Sequence, residues 1–273
     1  MFPVRIFAAS VLMALSISVA DGHEFWIDAH DWQVDTGDRI VADLVNGQQF
    51  KGVKYAYFPP NFRRFDVALG DGVTPVKGRL GDRPAADLAA PGAGLVTLIH
   101  QTTDNTVNYS EWEKFVSFVE HKDAAWVVEA HRARALPEDK FVEAYSRYAK
   151  GLIAVGAGDG SDRSRGLEIE IIALANPYTD DLSAGLPVVV TYKGAPRVDA
   201  QVEVFERPTG DTPEVAVFTL RTDQAGRALI PVKPGHAYLL DSVVLREPSE
   251  ALADEKNAVW ESLWASLTFE VPQ

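Results

Sequence analysis

His23 sits at or within two residues of a junction where peptidase action is expected to create a new N-terminus, and that makes it the residue with most chemistry to offer. Ahead of it a single basic residue, Arg5, leads into an apolar run from Ile6 to Val19 that is too short for a stable membrane anchor. Small residues follow, completing the pattern of a cleavable secretory signal over residues 1–22. Two cleavage sites fit: Ser18-Val19-Ala20, which makes Asp21 first, and Ala20-Asp21-Gly22, which makes His23 first. With Asp21 first, the free amine, two deprotonated backbone amides and the His23 imidazole form a planar nitrogen set suited to Cu(II) or Ni(II). With His23 first, its own amine and imidazole grip the metal together in a histidine brace, leaving positions for an imidazole from the fold. Either form needs a deprotonated amine, and a free α-amine titrates near ~8, so affinity falls as pH drops.

Five other histidines are available: His30, His100, His121, His131 and His236. His100 ends an apolar strand in the same half of the chain and is the expected second ligand. His30 and His236 read as turn residues, and His121 and His131 as the solvated face of a helical segment. Glu24, Asp28 and Asp31 cluster near His23 and read as solvated, while Trp26 and Trp32 read as core. The chain has no cysteine, which excludes disulfides, thiolate metal sites and a lipidated N-terminal cysteine. It has neither a Gly-rich phosphate loop nor a nucleophile-elbow serine. A formal net charge of −13 argues against nucleic acid and anionic lipid as partners.

The elements that must position these residues read as mainly β. From Glu24 to His100, short apolar pieces alternate with turns, including Arg39 to Leu44, Tyr55 to Phe58, Phe65 to Leu69 and Leu95 to Ile99. That spacing suggests a β-sandwich over 23–107. The period then changes. Ser110 and Glu113 have capping-box spacing, and Trp112, Phe115, Val116 and Val119 share one helical face. Pro137 suits a first helical turn, with Phe141, Tyr145, Tyr148 and Leu152 repeating behind it and Gly151 as a stop. Residues 108–155 therefore read as a helical insertion. Gly156 to Gly166 has the composition of a flexible linker. Beyond it, Leu167, Ile169 and Ile171 alternate with glutamates, and strands are expected at Leu186 to Tyr192, Val202 to Glu206, Val215 to Arg221, Ala228 to Val232 and Leu267 to Val271. The expected architecture is two immunoglobulin-like or transthyretin-like β-sandwich domains, 23–107 and 166–273, with the helical insertion between them.

The opening His23-Glu24-Phe25-Trp26-Ile27 resembles the family labelled domain of unknown function 4198, exported bacterial proteins whose mature part typically begins with His, an acidic residue, Phe and Trp. The likeness continues through Gly37-Asp38, Asn46-Gly47-Gln48-Gln49-Phe50 and Glu143 to Lys150, the last resembling a helix with an Arg-Tyr-x-Lys run. It extends to Leu174-Ala175-Asn176-Pro177, Thr222-Asp223 with Gly226, and Leu267-Thr268-Phe269. The family is similar to the periplasmic component associated with nickel and cobalt uptake, in which a histidine near the free N-terminus helps chelate the metal. The resemblance implies that role for His23 and, through the fold, for His100. This chain departs from the pattern at Gln48, where many relatives carry His.

The expected function is a periplasmic or secreted binding protein that captures nickel, cobalt or copper at its processed N-terminus and passes it to a metal-uptake transporter component. No catalytic residue is expected. Two other classes fit parts of the pattern: a copper histidine-brace oxidative enzyme, and a non-metal adhesion or assembly module with specificity in its loops.

Overall fold

The computed structural model describes residues 22–209 and 214–273; the expected leader up to Asp21, and with it the choice of cleavage site, lies outside the described residues. The chain is mainly β. Through the first half the strands are β1 Glu24–Ala29, β2 Gln33–Val34, β3 Arg39–Gln48, β4 Lys51–Tyr55, β5 Phe62–Leu69, β6 Gly72–Pro75, β7 Ala86–Ala89, β8 Gly94–Thr102 and β9 Asn105–Tyr109. Helices α1 Trp112–His121 and α2 Trp126–Ala133 follow, then β10 Phe141–Val155. The second half holds β11 Ile169–Ala173, β12 Leu186–Tyr192, β13 Ala195–Pro196, β14 Gln201–Pro208, β15 Ala216–Arg221, β16 Arg227–Ile230 and β17 His236–Arg246. Helix α3 Glu250–Lys256, capped by the Ser249 hydroxyl, leads into β18 Ala258–Val271.

These strands form three sheets. A ten-stranded sheet runs β15-β14-β17-β18-β10-β8-β5-β6, with β2 and β9 also pairing with β10. A four-stranded sheet of β1, β3, β4 and β7 packs on one face, and another of β11, β12, β13 and β16 packs on the other. Alternation along β8 shows how: Val96 and Leu98 join Phe25, Ile27 and Leu44 in one core, while Leu95 and Ile99 join Ile169, Val188 and Leu267 in the other. Helices α1 and α2 cover the rest of the first face, burying Phe115, Phe118, Val119 and Val127 against Val243, Trp260 and Trp264. Sandwich-like packing and a small helical insertion are both present, but the two sandwiches share one sheet. The joint is β10 against β18, parallel from Val142↔Ala258 to Gly151↔Thr268.

The stretch expected to end the insertion as a helix is therefore the fifteen-residue strand β10. Its residues are buried on both faces, so its apolar spacing carries no period that separates strand from helix. Gly151, expected to stop that helix, instead lets β1 cross closely: an added Cβ would stand 3.2 Å from Ile27 Cγ2. The helix at 112–121 forms as expected, yet Ser110 does not cap it; Glu111 takes the cap position without a side-chain bond, and the amphipathic face carries the helix.

Residues 156–166, flexible in composition, are pinned in place. Lys150, wholly buried on β10, donates to Asp162 (2.7 Å) and to the Ile171 carbonyl (3.2 Å), and pairs with Glu170 at 3.1 Å. Asn176 Nδ2 donates to the carbonyls of Gly158 and Gly160. Lys150→Met would leave two buried carboxylates without their cation, at a cost of about 3–5 kcal/mol. Urea unfolding should show a fall of that size, and a loss under 1 kcal/mol would mean the triad does not hold the segment.

Candidate functional site

Register places the site. Along β10, Glu143, Tyr145 and Arg147 alternate on the face that the first small sheet and α1 cover. Arg147 is the Cα partner of Trp264 on β18, and its guanidinium carbon lies 3.9 Å from the centre of the indole and 5.0 Å from that of Tyr145. It is buried, and its Nε and Nη1 have no hydrogen-bond partner among the described residues. Burial lowers its pKa, against the pull of Tyr145, Asp241, Glu24 and Glu143, and none of those three carboxylates forms an ion pair or hydrogen bond with its Nε or Nη1. Taking a guanidinium out of water costs several kcal/mol, whereas each ring face returns only ~0.5–2.

Behind it, Trp264 Nε1 donates to Ser262 Oγ (2.8 Å), the Ser262 hydroxyl donates to Glu143 Oε1, and the Tyr109 hydroxyl donates to Glu143 Oε2 (3.0 Å). Trp264 also stacks on Phe118 with ring centres 5.6 Å apart. Burial pushes the Glu143 carboxyl up to about 7, against the two hydroxyl donors and the Arg147 charge.

Two cavities meet at Arg147, sharing Asn46, Tyr145 and Arg147 as lining. The inner one, about 280 Å³, is walled by Phe25, Tyr55, Phe58 and Phe62, with His100 within. Its lining includes two arginines, Arg83 and Arg147, and no carboxylate. The outer one, about 310 Å³, is lined by Gly22, His23, Lys114, Glu143 and Trp264 among others.

The two histidines expected as ligands thus line adjoining cavities rather than one. His23 is exposed just ahead of β1, and the peptide before it lies so close to Trp264 that an added Cβ on Gly22 would stand 2.5 Å from the indole. His100, paired with Phe65 across β8 and β5, is fully buried among Phe25, Phe62 and Phe65, with ring centres 4.6–5.2 Å away. Neither of its ring nitrogens has a hydrogen-bond partner among the described residues, and burial drives its pKa down to about 3, so the imidazole is neutral.

The other histidines have occupations of their own. His30 bonds Asp43 at 2.9 Å, His121 pairs with Glu203 at 3.0 Å and His236 with Glu206 at 2.8 Å. His131, expected on a solvated face, is fully buried; its Nε2 donates to the Pro137 carbonyl and its Nδ1 accepts from Trp260 Nε1, which fixes the tautomer. Trp26 and Trp32 are core, as expected. Glu24, expected to be solvated, is buried beside Glu203 and Asp241 in a cluster whose oxygens lie within 4.8 Å of one another. Such a cluster would suit a cation, and Lys122 supplies it, with Nζ at 3.1, 2.7 and 3.0 Å from the three carboxylates. No separate metal is needed there.

The family model described as domain of unknown function DUF4198 matches residues 20–245. The chain belongs to the DUF4198 family. No curated protein matches it. Among the described residues of this DUF4198 chain, no helix is long and apolar enough to cross a membrane. The match spans the segment that carries every lining residue of both cavities except Trp264, which β18 adds from beyond residue 245.

Sequence reasoning singled out His23 and His100 and did not single out Arg147, Glu143 or Lys122. The first two fell within a run resembling a helix, Glu143 to Lys150; read as a strand, the same run puts Glu143, Tyr145 and Arg147 on one face. Glu143 also predicts a pH dependence. Its folded pKa of about 7 exceeds the ordinary 4.5, so its contribution to stability is full below pH 4.5 and is lost as pH rises through 7. Thermal unfolding should show Glu143→Gln losing less stability than wild type between pH 5 and pH 8, by on the order of 3 kcal/mol. Parallel pH profiles for the two proteins would contradict this.

Proposed function

We propose that this DUF4198 protein is an exported binding protein that captures a divalent transition metal, nickel, cobalt or copper, at its processed N-terminus and delivers it to an uptake transporter. The observation that carries the reading is the position of His23: exposed, directly ahead of β1, with the preceding peptide against Trp264 at the mouth of a cleft. Cleavage after Ala20 or after Gly22 sets a free amine next to that imidazole, giving one of the two nitrogen chelates. The acidic cluster does not compete, because Lys122 neutralises it from within. His100, neutral and with no hydrogen-bond partner on either ring nitrogen among the described residues, lines the adjoining cavity and is the imidazole we assign as second ligand.

The residues fit a borderline metal better than a hard one: the donors are an amine and imidazoles, and the inner cavity has no carboxylate. When bound, the ion would take nitrogen donors from His23 and the terminus. The protein's own part is to hold β1 rigid through its pairing with β3, so that the chelate projects from a fixed strand end.

Calorimetry with Ni(II) and Cu(II) on the secreted, correctly processed protein tests the reading. One equivalent should bind to the mature form. His23→Ala, and a form with one extra N-terminal residue, should each bind at least about tenfold more weakly, a change of ~1.4 kcal/mol or more. His100→Phe should weaken binding less than His23→Ala. Affinity should fall between pH 8 and pH 6 as the amine takes up its proton. Equal affinity in the mature, extended and His23→Ala proteins would refute the proposal.

A further inference from the structure

The inner cavity has features that an N-terminal metal site does not use. Its lining carries two guanidinium groups and no acid, in a chain with 39 acidic residues against 26 basic ones. One of the two, Arg147, is buried with no hydrogen-bond partner for its Nε and Nη1 among the described residues, its guanidinium packed over the rings of Trp264 and Tyr145. On the same sheet, buried Lys150 is paired with Asp162 and Glu170 and half-buried Arg246 with Glu168 and Glu261, and Lys122, after α1, is paired with three carboxylates. A planar fork of N–H donors without a carboxylate is preorganised for one.

The rest of the cavity describes what must be attached to that carboxylate. The rings of Phe25, Tyr55, Phe58 and Phe62 make the walls apolar, while Asn46 and Asn61 offer amide groups along them. A volume of about 280 Å³ lies near the lower end of the range usual for small-molecule pockets, roughly 300–1,000 Å³. A bare inorganic anion would leave the aromatic walls without contact. An extended polymer would not fit.

We propose that the inner cavity binds a small organic acid, its carboxylate on Arg147 and its single-ring or branched apolar body against Phe25, Phe62 and His100. The exposed Arg83 adds a second positive charge to the lining and favours entry of an anion into an otherwise acidic protein. The site lies within the cleft that His23 borders but does not depend on a metal there. The same arrangement would serve a free acid or one that accompanies a captured ion.

Calorimetry with benzoate on the mature protein, freed of metal by chelator and dialysis, tests this. Benzoate should bind at one equivalent, at least about tenfold more tightly than its neutral analogue benzyl alcohol and than inorganic phosphate, as expected for a charge-assisted bidentate contact plus apolar burial. Arg147→Met should abolish the preference for benzoate over benzyl alcohol, and Arg147→Lys should retain only part of it. His23→Ala should bind benzoate like wild type, so failure of the metal reading leaves this result unchanged. Equal binding of benzoate and benzyl alcohol by the wild-type protein, phosphate binding as tightly as benzoate, or the absence of binding by both benzoate and 3-methylbutanoate would each overturn the proposal, whether or not the Arg147 variants fold.

Discussion

The packing of the Arg147 guanidinium on the Trp264 indole ties the two halves of this chain together at the point where its cleft lies. One residue comes from β10 and the other from β18, strands that are far apart in sequence and parallel in space. Through that pairing the two sandwiches become one sheet, with small sheets on opposite faces and helices α1 and α2 beside the first of them. Trp264 is held in turn by Phe118 and by the chain of hydroxyls that ends on Glu143. A buried cation so placed, with aromatic faces but no carboxylate against it, is expensive unless something else supplies the negative charge. The two cavities that meet there share Asn46, Tyr145 and Arg147 and give that charge room.

Two further buried clusters show the alternative arrangement. Lys122, after α1, draws Glu24 of β1, Glu203 of β14 and Asp241 of β17 around one ammonium, which burial would otherwise make costly and which the three carboxylates hold well above its usual pKa. Lys150 does the same for Asp162 and Glu170 and thereby fixes the 156–166 crossing. Where this fold buries a lysine it surrounds it with acid. Arg147, buried without a carboxylate partner, differs from these two lysines, and it lines both cavities of the cleft.

Much of the fold was legible because many strands have one wet face. Leu186 to Tyr192 and Arg39 to Leu44 lie within strands β12 and β3, and Trp112 to Val119 within helix α1. Strand β10 was not legible, since burial on both faces erased its period and left Tyr145, Tyr148 and Leu152 at a spacing that also suits a helix. Glu24 looked solvated because its partners, Lys122, Glu203 and Asp241, lie about a hundred residues or more along the chain. His23 could be singled out because its chemistry depends on chain position, not on tertiary neighbours; His100 could be placed on a strand, but its enclosure by Phe25, Phe62 and Phe65 is a tertiary fact. Arg147 needed both the strand reading and the parallel register before its lack of a partner could be seen.

Arg147 is buried in the free protein, with no partner for its Nε and Nη1 among the described residues, and the proposed organic-acid site requires it to be charged and open to an anion from outside. The side-chain Nε–H resonance of Arg147, assigned by its loss in the Arg147→Lys spectrum, reads this directly. It should lie upfield under the Trp264 ring current in the free protein and move downfield as benzoate is titrated in. A resonance already at the downfield position of an ion-paired guanidinium, and unmoved by benzoate, would contradict the account.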